Sequence, residues 1–414
     1  MLTTWLLALC IGAVHMGSRS VAASPPPLNR DLEMIYQWKY LDFEFANETH
    51  RQQAIQSGQY NHTKCFPIDV DRWGGLTFVT VIRDEGVPSS LNVISRKTSD
   101  GGPLLKPYPD WSWTKTDCTG ITSVYRVAID HCSRLWVLDT GVLGEKAICP
   151  PQLLAFDLKT SKLLERVTIA HDVAVNSTSG KGLLITPIVQ TFGGRCEETY
   201  VYMADVEGYA LLFYNHNTQT IQRFTSSALV YDPQLSSTTY TIEGQSFTLE
   251  DGPLGMALSP LTQTLYFSSM SSHNMDSIQT EAVIKATNND LPFKEYKNVL
   301  RTQSSAKAMT CEGTLFLGLV NNTAIGCWNE FTPLEEQNIF VISHNSETLQ
   351  FTSGMKVKTE WFPGTEKLLV LTNRYQKIAT GTMNFNDINF RILSASVRQL
   401  IIGTPCMPVP VFKG

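Results

Sequence analysis

Short apolar runs, each closed by a polar turn, recur six times along the chain: TFVTV, LWVLD, VYMAD, LYFSS, LFLGL and LVLTN. Their bulky anchors are Phe78, Trp136, Tyr202, Tyr266, Phe316 and Val370, spaced 58, 66, 64, 50 and 54 residues apart. Each interval is about what a four-stranded antiparallel blade with its loops occupies. The pattern therefore predicts an all-β fold, a six-bladed β-propeller, with residues 24–414 forming one domain. A propeller directs the search for function to its axial channel. If the six runs are inner strands, their ends meet at one channel mouth.

The segments between anchors fit this scheme. TSVYRVAIDHCSRLWVLDTG reads as a hairpin turned at Asp130 to Ser133, and LLAFDLKTSKLLERVTI as a second turned at Lys159 to Lys162, together one blade. Three prolines in GGPLLKPYPDWSW keep that stretch out of a central strand, because proline cannot donate to the ladder. Near the N-terminus, LEMIYQWKYLDFEF reads as a strand closing the last blade, followed by a short helix from Arg51 to Ser57.

The first 23 residues read as a secretory signal peptide: an apolar stretch from Trp5 to Val14, then small residues Val21 and Ala23 before the cleavage point. No later stretch reaches the ~18 apolar residues of a membrane span. Secretion to the extracellular space gives the cysteines an oxidising environment. Cys10 leaves with the leader, so Cys65, Cys118, Cys132, Cys149, Cys196, Cys311, Cys327 and Cys406 are the disulfide candidates. A Cys327–Cys406 bridge would pin the C-terminal segment to the body. Sequons at Asn47, Asn61, Asn176 and Asn321 are candidate glycosylation sites. Net charge is only −5 with no run of one sign, which disfavours nucleic acid or an anionic membrane surface as partner.

Candidate chemistry is sparse. Three residues after each anchor stand Val81, Asp139, Asp205, Ser269, Leu319 and Asn373. Gathered at a mouth, Asp139, Asp205 and Asn373 would suit a ligand ammonium or a calcium ion. In the competing and stronger reading, each carboxylate caps the turn that follows, as Asp commonly does beside Gly. His131 and the His171-Asp172 pair read as loop residues, and Tyr108, Trp111 and Trp113 as packing between blades. No GxSxG, HExxH, Walker or EF-hand pattern occurs, so no catalytic residue, metal or cofactor is expected.

The stretches GVPSSLNVIS, GGPLLKPYPDWSW, RLWVLDTG, DGPLGMALSP, QSSAKAM, GCWNE and NFNDINFRI closely resemble the major royal jelly protein/Yellow family of insects, from about Leu32 to about Cys406. The first two look more like the royal jelly branch. The resemblance implies a secreted, glycosylated six-bladed propeller that often forms homo-oligomers. It implies a nutritive gland product with a small peptide partner and a sterol. For other branches it implies a biogenic-amine carrier, or an enzyme of dopachrome conversion in melanin synthesis. Asn373 and Tyr375 are similar to the amine-contacting strand end of salivary members. Cys65 and Cys311 are additional to the pattern of the royal jelly branch, and an extra bridge between them is expected if their blades are neighbours. The short end beyond Cys406 lacks the long tail through which some members assemble.

Overall fold

Six antiparallel sheets of four strands each account for the repeated runs. The computed structural model describes residues 30–192, 194–231, 238–360 and 365–408, so the predicted leader lies outside the described residues. The innermost strands of blades 1 to 6 are Pro67–Trp73, Val124–Ile129, Leu184–Thr191, Pro253–Leu258, Ser304–Met309 and Thr352–Thr359. Each contacts the next, and the sixth contacts the first, closing a ring. Blade 6 completes itself with the N-terminal strand Glu33–Trp38, which pairs antiparallel with Phe390–Ser396. The ends of the described chain are thereby locked into one sheet, as the aromatic N-terminal segment predicts.

The anchors are not on the innermost strands. They lie on the second strands, Leu76–Val81, Arg134–Asp139, Thr199–Asp205, Thr264–Ser269, Thr314–Leu319 and Glu366–Thr372. A second strand has a neighbour on both edges and a blade on both faces, so it reads as a near-continuous apolar run. An innermost strand borders the channel and tolerates Asp, Arg, Ser and Lys. Five anchors fill the gap to the following blade: Phe78 packs with Leu135 and Phe156, Trp136 with Val201 and Met203, and Tyr202 with Phe267. Tyr266 meets Leu315 and Trp328, and Phe316 meets Val370.

The sixth anchor is one residue out of register. Ladder partners of the first-strand starts are Val81, Asp139, Asp205, Ser269, Leu319 and Thr372, so the counterpart of Phe316 is Leu369, not Val370. Side chains alternate along a strand, and a slip of one residue moves the side chain to the other face. Val370 accordingly packs backward onto blade 5, while Leu369 and Leu371 face blade 1.

Three disulfides staple the ring: Cys118–Cys149, Cys132–Cys196 and Cys327–Cys406. The second joins the turns that end the innermost strands of blades 2 and 3. The expected Cys65–Cys311 bridge is not formed. Cys65 lies before the first strand of blade 1, its buried thiol within donating reach of the Asn61 carbonyl at 3.4 Å and the Gly86 carbonyl at 3.7 Å. Cys311 follows the first strand of blade 5, at the opposite face, and blade 6 stands between the two.

Sequon geometry divides the four sites. Asn47 and Asn61 are exposed and use their side-chain oxygens as acceptors, Asn47 capping the helix Glu48–Gln56. The amide nitrogens of Asn176 and Asn321 donate to Gly208 O and Gln303 Oε1, at 3.2 and 2.9 Å. Glycosylation would remove those bonds. Glycopeptide mapping of the protein secreted from insect cells is expected to find Asn47 and Asn61 occupied and Asn176 and Asn321 largely bare; full occupancy of Asn321 would show that its bond does not shape the site.

Candidate functional site

All six innermost strands line an axial cavity of about 380 Å³, within the range of small-molecule sites. One end is plugged. Between blades 3 and 4 the chain makes a hairpin, Thr239–Ile242 and Gln245–Thr248, whose Tyr240, Ile242 and Phe247 pack with Ile185, Leu254 and Phe351 from the blades beneath. Tyr240 stacks on Phe247 with ring centroids 5.0 Å apart. The other end, where innermost strands turn into second strands, is rimmed by exposed His131, Pro260 and Thr359. The cavity is a dead-end well.

Its walls are unevenly polar. From blades 2 to 5 the half-buried Ile129, Ile188, Leu258 and Met309 form an apolar side toward the mouth. Blades 1 and 6 face each other through two ion pairs, Lys356 to Asp69 at 2.8 Å and Lys358 to Asp71 at 2.7 Å. At the plugged end Arg126 of blade 2 donates to the Ser353 carbonyl of blade 6 at 2.9 Å and reaches Thr186 of blade 3 at 3.5 Å, so its guanidinium crosses the well. Lys307 of blade 5 donates to Ser268 at 2.6 Å and Ser304 at 3.2 Å. Neither Arg126 nor Lys307 forms an ion pair with a carboxylate among the ion pairs of the described residues. The Asp69 Oδ1 atom is buried without a partner.

Burial, opposed by attraction to Asp276 and aided by repulsion from Arg126, pushes the Lys307 ammonium down to about 7. Burial likewise raises Asp276 to about 8 and, against the pull of Arg126, Asp251 to about 7. Asp276 and Asp251 are thus drawn toward their neutral forms, while Asp69 also attracts the Arg126 guanidinium.

The residues singled out in the sequence are brought to one face, but it is the plugged one. Asp139 is fully buried and accepts from the Thr122, Ser123 and Gly141 amides and from Gln152, at 2.8, 2.7, 3.2 and 2.9 Å. Asp205 accepts from the Leu183 and Gly208 amides and pairs with Arg223 at 2.7 Å. Both carboxylates tie the end of a second strand to the segment entering the first strand of their own blade. Asn373 is buried and donates to the Pro67 carbonyl across the blade 6–blade 1 seam. Tyr375 packs on Phe351 and on Phe247 of the plug, with centroids 4.9 and 5.3 Å apart. None of the four lines the cavity. Tyr108 and Trp113 pack edge-on against Phe156 between blades 1 and 2, and Trp111 stacks on Phe45.

Arg126 and Lys307 were passed over in the sequence. Their only signal there is a lone basic residue inside a β-prone run, VYRVAI and SSAKAM, with no acid beside it. Such a residue is costly in a buried strand unless something faces it. Which strand borders the channel is what gives that signal its meaning.

The geometry defines the class: a plugged six-bladed propeller with a solvent-accessible axial well. The family profile described as major royal jelly protein matches residues 122–406. Major royal jelly protein 9 of Apis mellifera is 54% identical over 97% of this chain and 96% of its own length. Major royal jelly proteins 8 and 2 of the same species are 48% and 46% identical, covering 97% and 98% of this chain and 99% and 92% of theirs. The chain belongs to the major royal jelly protein family.

Proposed function

We propose that this protein is a secreted, glycosylated gland product of nutritive character that carries a small amphipathic molecule in its axial well, without acting as an enzyme. The observation that carries this reading is the dead-end cavity, walled on one side by apolar side chains and on the other by paired charges. Sterol or amine cargo, and a peptide or second copy as partner, are part of the same proposal. Its support from the family is the near full-length similarity to royal jelly proteins. No described helix is long and apolar enough to cross a membrane.

Dopachrome conversion requires a proton-transfer group beside the substrate. Asp139 and Asp205, the candidates offered by the sequence, are consumed by amide and guanidinium donors behind the plug.

Calorimetric titration with indole, serotonin, dopamine and histamine, run beside an absorbance assay of dopachrome decay, tests this reading. One-site binding of at least one compound is expected, abolished by Ala128→Trp, which places an indole ring in the well, with dopachrome decay no faster than in buffer. Accelerated decay would overturn the non-enzymatic reading, and silence toward every compound would remove the amine cargo.

A further inference from the structure

We infer that the well selects an organic anion, its head group held at the plugged end by Arg126 and Lys307 and its apolar body lying against Ile188, Leu258 and Met309 toward the mouth. This rests on the carrier reading above but replaces its sterol or amine cargo with one charge class, opposite to the amine that Asn373 and Tyr375 pointed to.

Charged side chains line the cavity on blades 1, 2, 5 and 6, among them Glu366, which accepts from the Cys311 amide toward the mouth. Lys356 and Lys358 are neutralised by Asp69 and Asp71 at ion-pair distance. What remains at the deep end is Arg126 and Lys307, 6% and 5% exposed, on blades 2 and 5, on opposite sides of the ring. Arg126 is held across the axis by Ser353 and Thr186, and Lys307 is braced by two serine hydroxyls. These hydrogen-bond partners are neutral and orient the cations, and Asp69, Asp251 and Asp276 attract them through space without reaching ion-pair distance.

A guanidinium fixed in this way keeps a fork of N–H donors matched to carboxylate, sulfate or phosphate. Burial lowers the affinity of Lys307 for its proton against the attraction of Asp276, and repulsion from Arg126 adds to that lowering. An anion between them relieves both costs. A cationic ligand would add a third positive charge in a site of low dielectric, where the penalty is greatest. The two cations without an ion-pair partner sit at the blind end, which sets ligand polarity: head inward, apolar part outward, against the apolar side of blades 2 to 5.

Three compounds sharing one ring and differing in charge provide the test: indole-3-acetate, tryptamine and neutral indole, each titrated calorimetrically into the full-length secreted protein. Indole-3-acetate is expected to bind roughly tenfold or more tighter than either of the others. In Lys307→Met, which keeps the stem and removes the charge, that advantage should shrink by roughly tenfold while indole binds as before. Retained indole binding and an unchanged melting temperature show that the variant is folded. If indole binds but indole-3-acetate binds no tighter than tryptamine, or if Lys307→Met keeps the full preference for the anion, the charge assignment is overturned and the carrier reading stands. If none of the three binds, the carrier reading falls and this inference with it.

Discussion

Replacing Cys406 by Ser is expected to cost about 4 kcal/mol of folding stability, about as much as opening Cys132–Cys196 and more than opening Cys118–Cys149. Cys327 and Cys406 are 79 residues apart, against 31 and 64 for the other pairs, and the entropy removed from the unfolded chain grows with the loop closed. The chain-entropy relation gives about 4.5 kcal/mol for a loop of this size. The bridge ties the third strand of blade 5 to the segment after the last helix. Val397, Leu400 and Ile401 of that helix pack with Cys327, Cys406 and Ile342 against blades 5 and 6. The Thr314 hydroxyl also bonds the Cys406 carbonyl at 2.9 Å. Guanidinium unfolding of wild type and Cys406→Ser, both without reductant, measures the difference. A loss below about 1 kcal/mol would mean that apolar packing holds the tail and that the bridge constrains little.

The second large effect is expected at Asp139. Asp139→Ala strands three buried backbone amides and removes one of the two acceptors of the Gln152 amide, which keeps the Gly120 carbonyl. Each buried donor left without an acceptor costs about 1–3 kcal/mol, and some of the three backbone amides will find water, so a total of about 3–5 kcal/mol is expected. Burial itself holds the Asp139 carboxyl above its usual proton affinity, against the pull of those donors, so the donors are what keep a charge tolerable there. Urea unfolding reads the stability. Calorimetry on the fraction still folded should show unchanged affinity for any ligand of the well, because Asp139 does not line it. A variant of full stability that no longer binds ligand would reverse the assignment and restore Asp139 as a ligand residue.

These two residues illustrate different kinds of legibility. The Cys327–Cys406 pairing has a reason visible in the chain: one cysteine near its end, the other in a late repeat, and a tail that otherwise has no strand to join. The role of Asp139 is ambiguous in sequence, because Asp before Thr-Gly suits a turn as well as a ligand ring. Only the position of the plug decides it. That hairpin, TYTIEGQSFT, is inserted between blades 3 and 4 and sets which end of the channel is open.

The sequence by itself determined the number of blades and the all-β class, because apolar runs separated by turns are a local signal repeated at blade spacing. It also determined the strand that closes the ring, since an aromatic strand before the first repeat can complete the last sheet. Tertiary structure alone decided which of the four strands in each blade borders the axis. Buried on both faces and paired on both edges, second strands give the loudest apolar signal, and they conceal the quieter innermost strands that carry Asp69, Arg126 and Lys307. It decided the sixth register, where one residue separates Val370 from its counterpart Leu369 and reverses the face. It decided the site as well. Arg126 and Lys307 stand 181 positions apart in the chain and share one well only because the blades close into a ring.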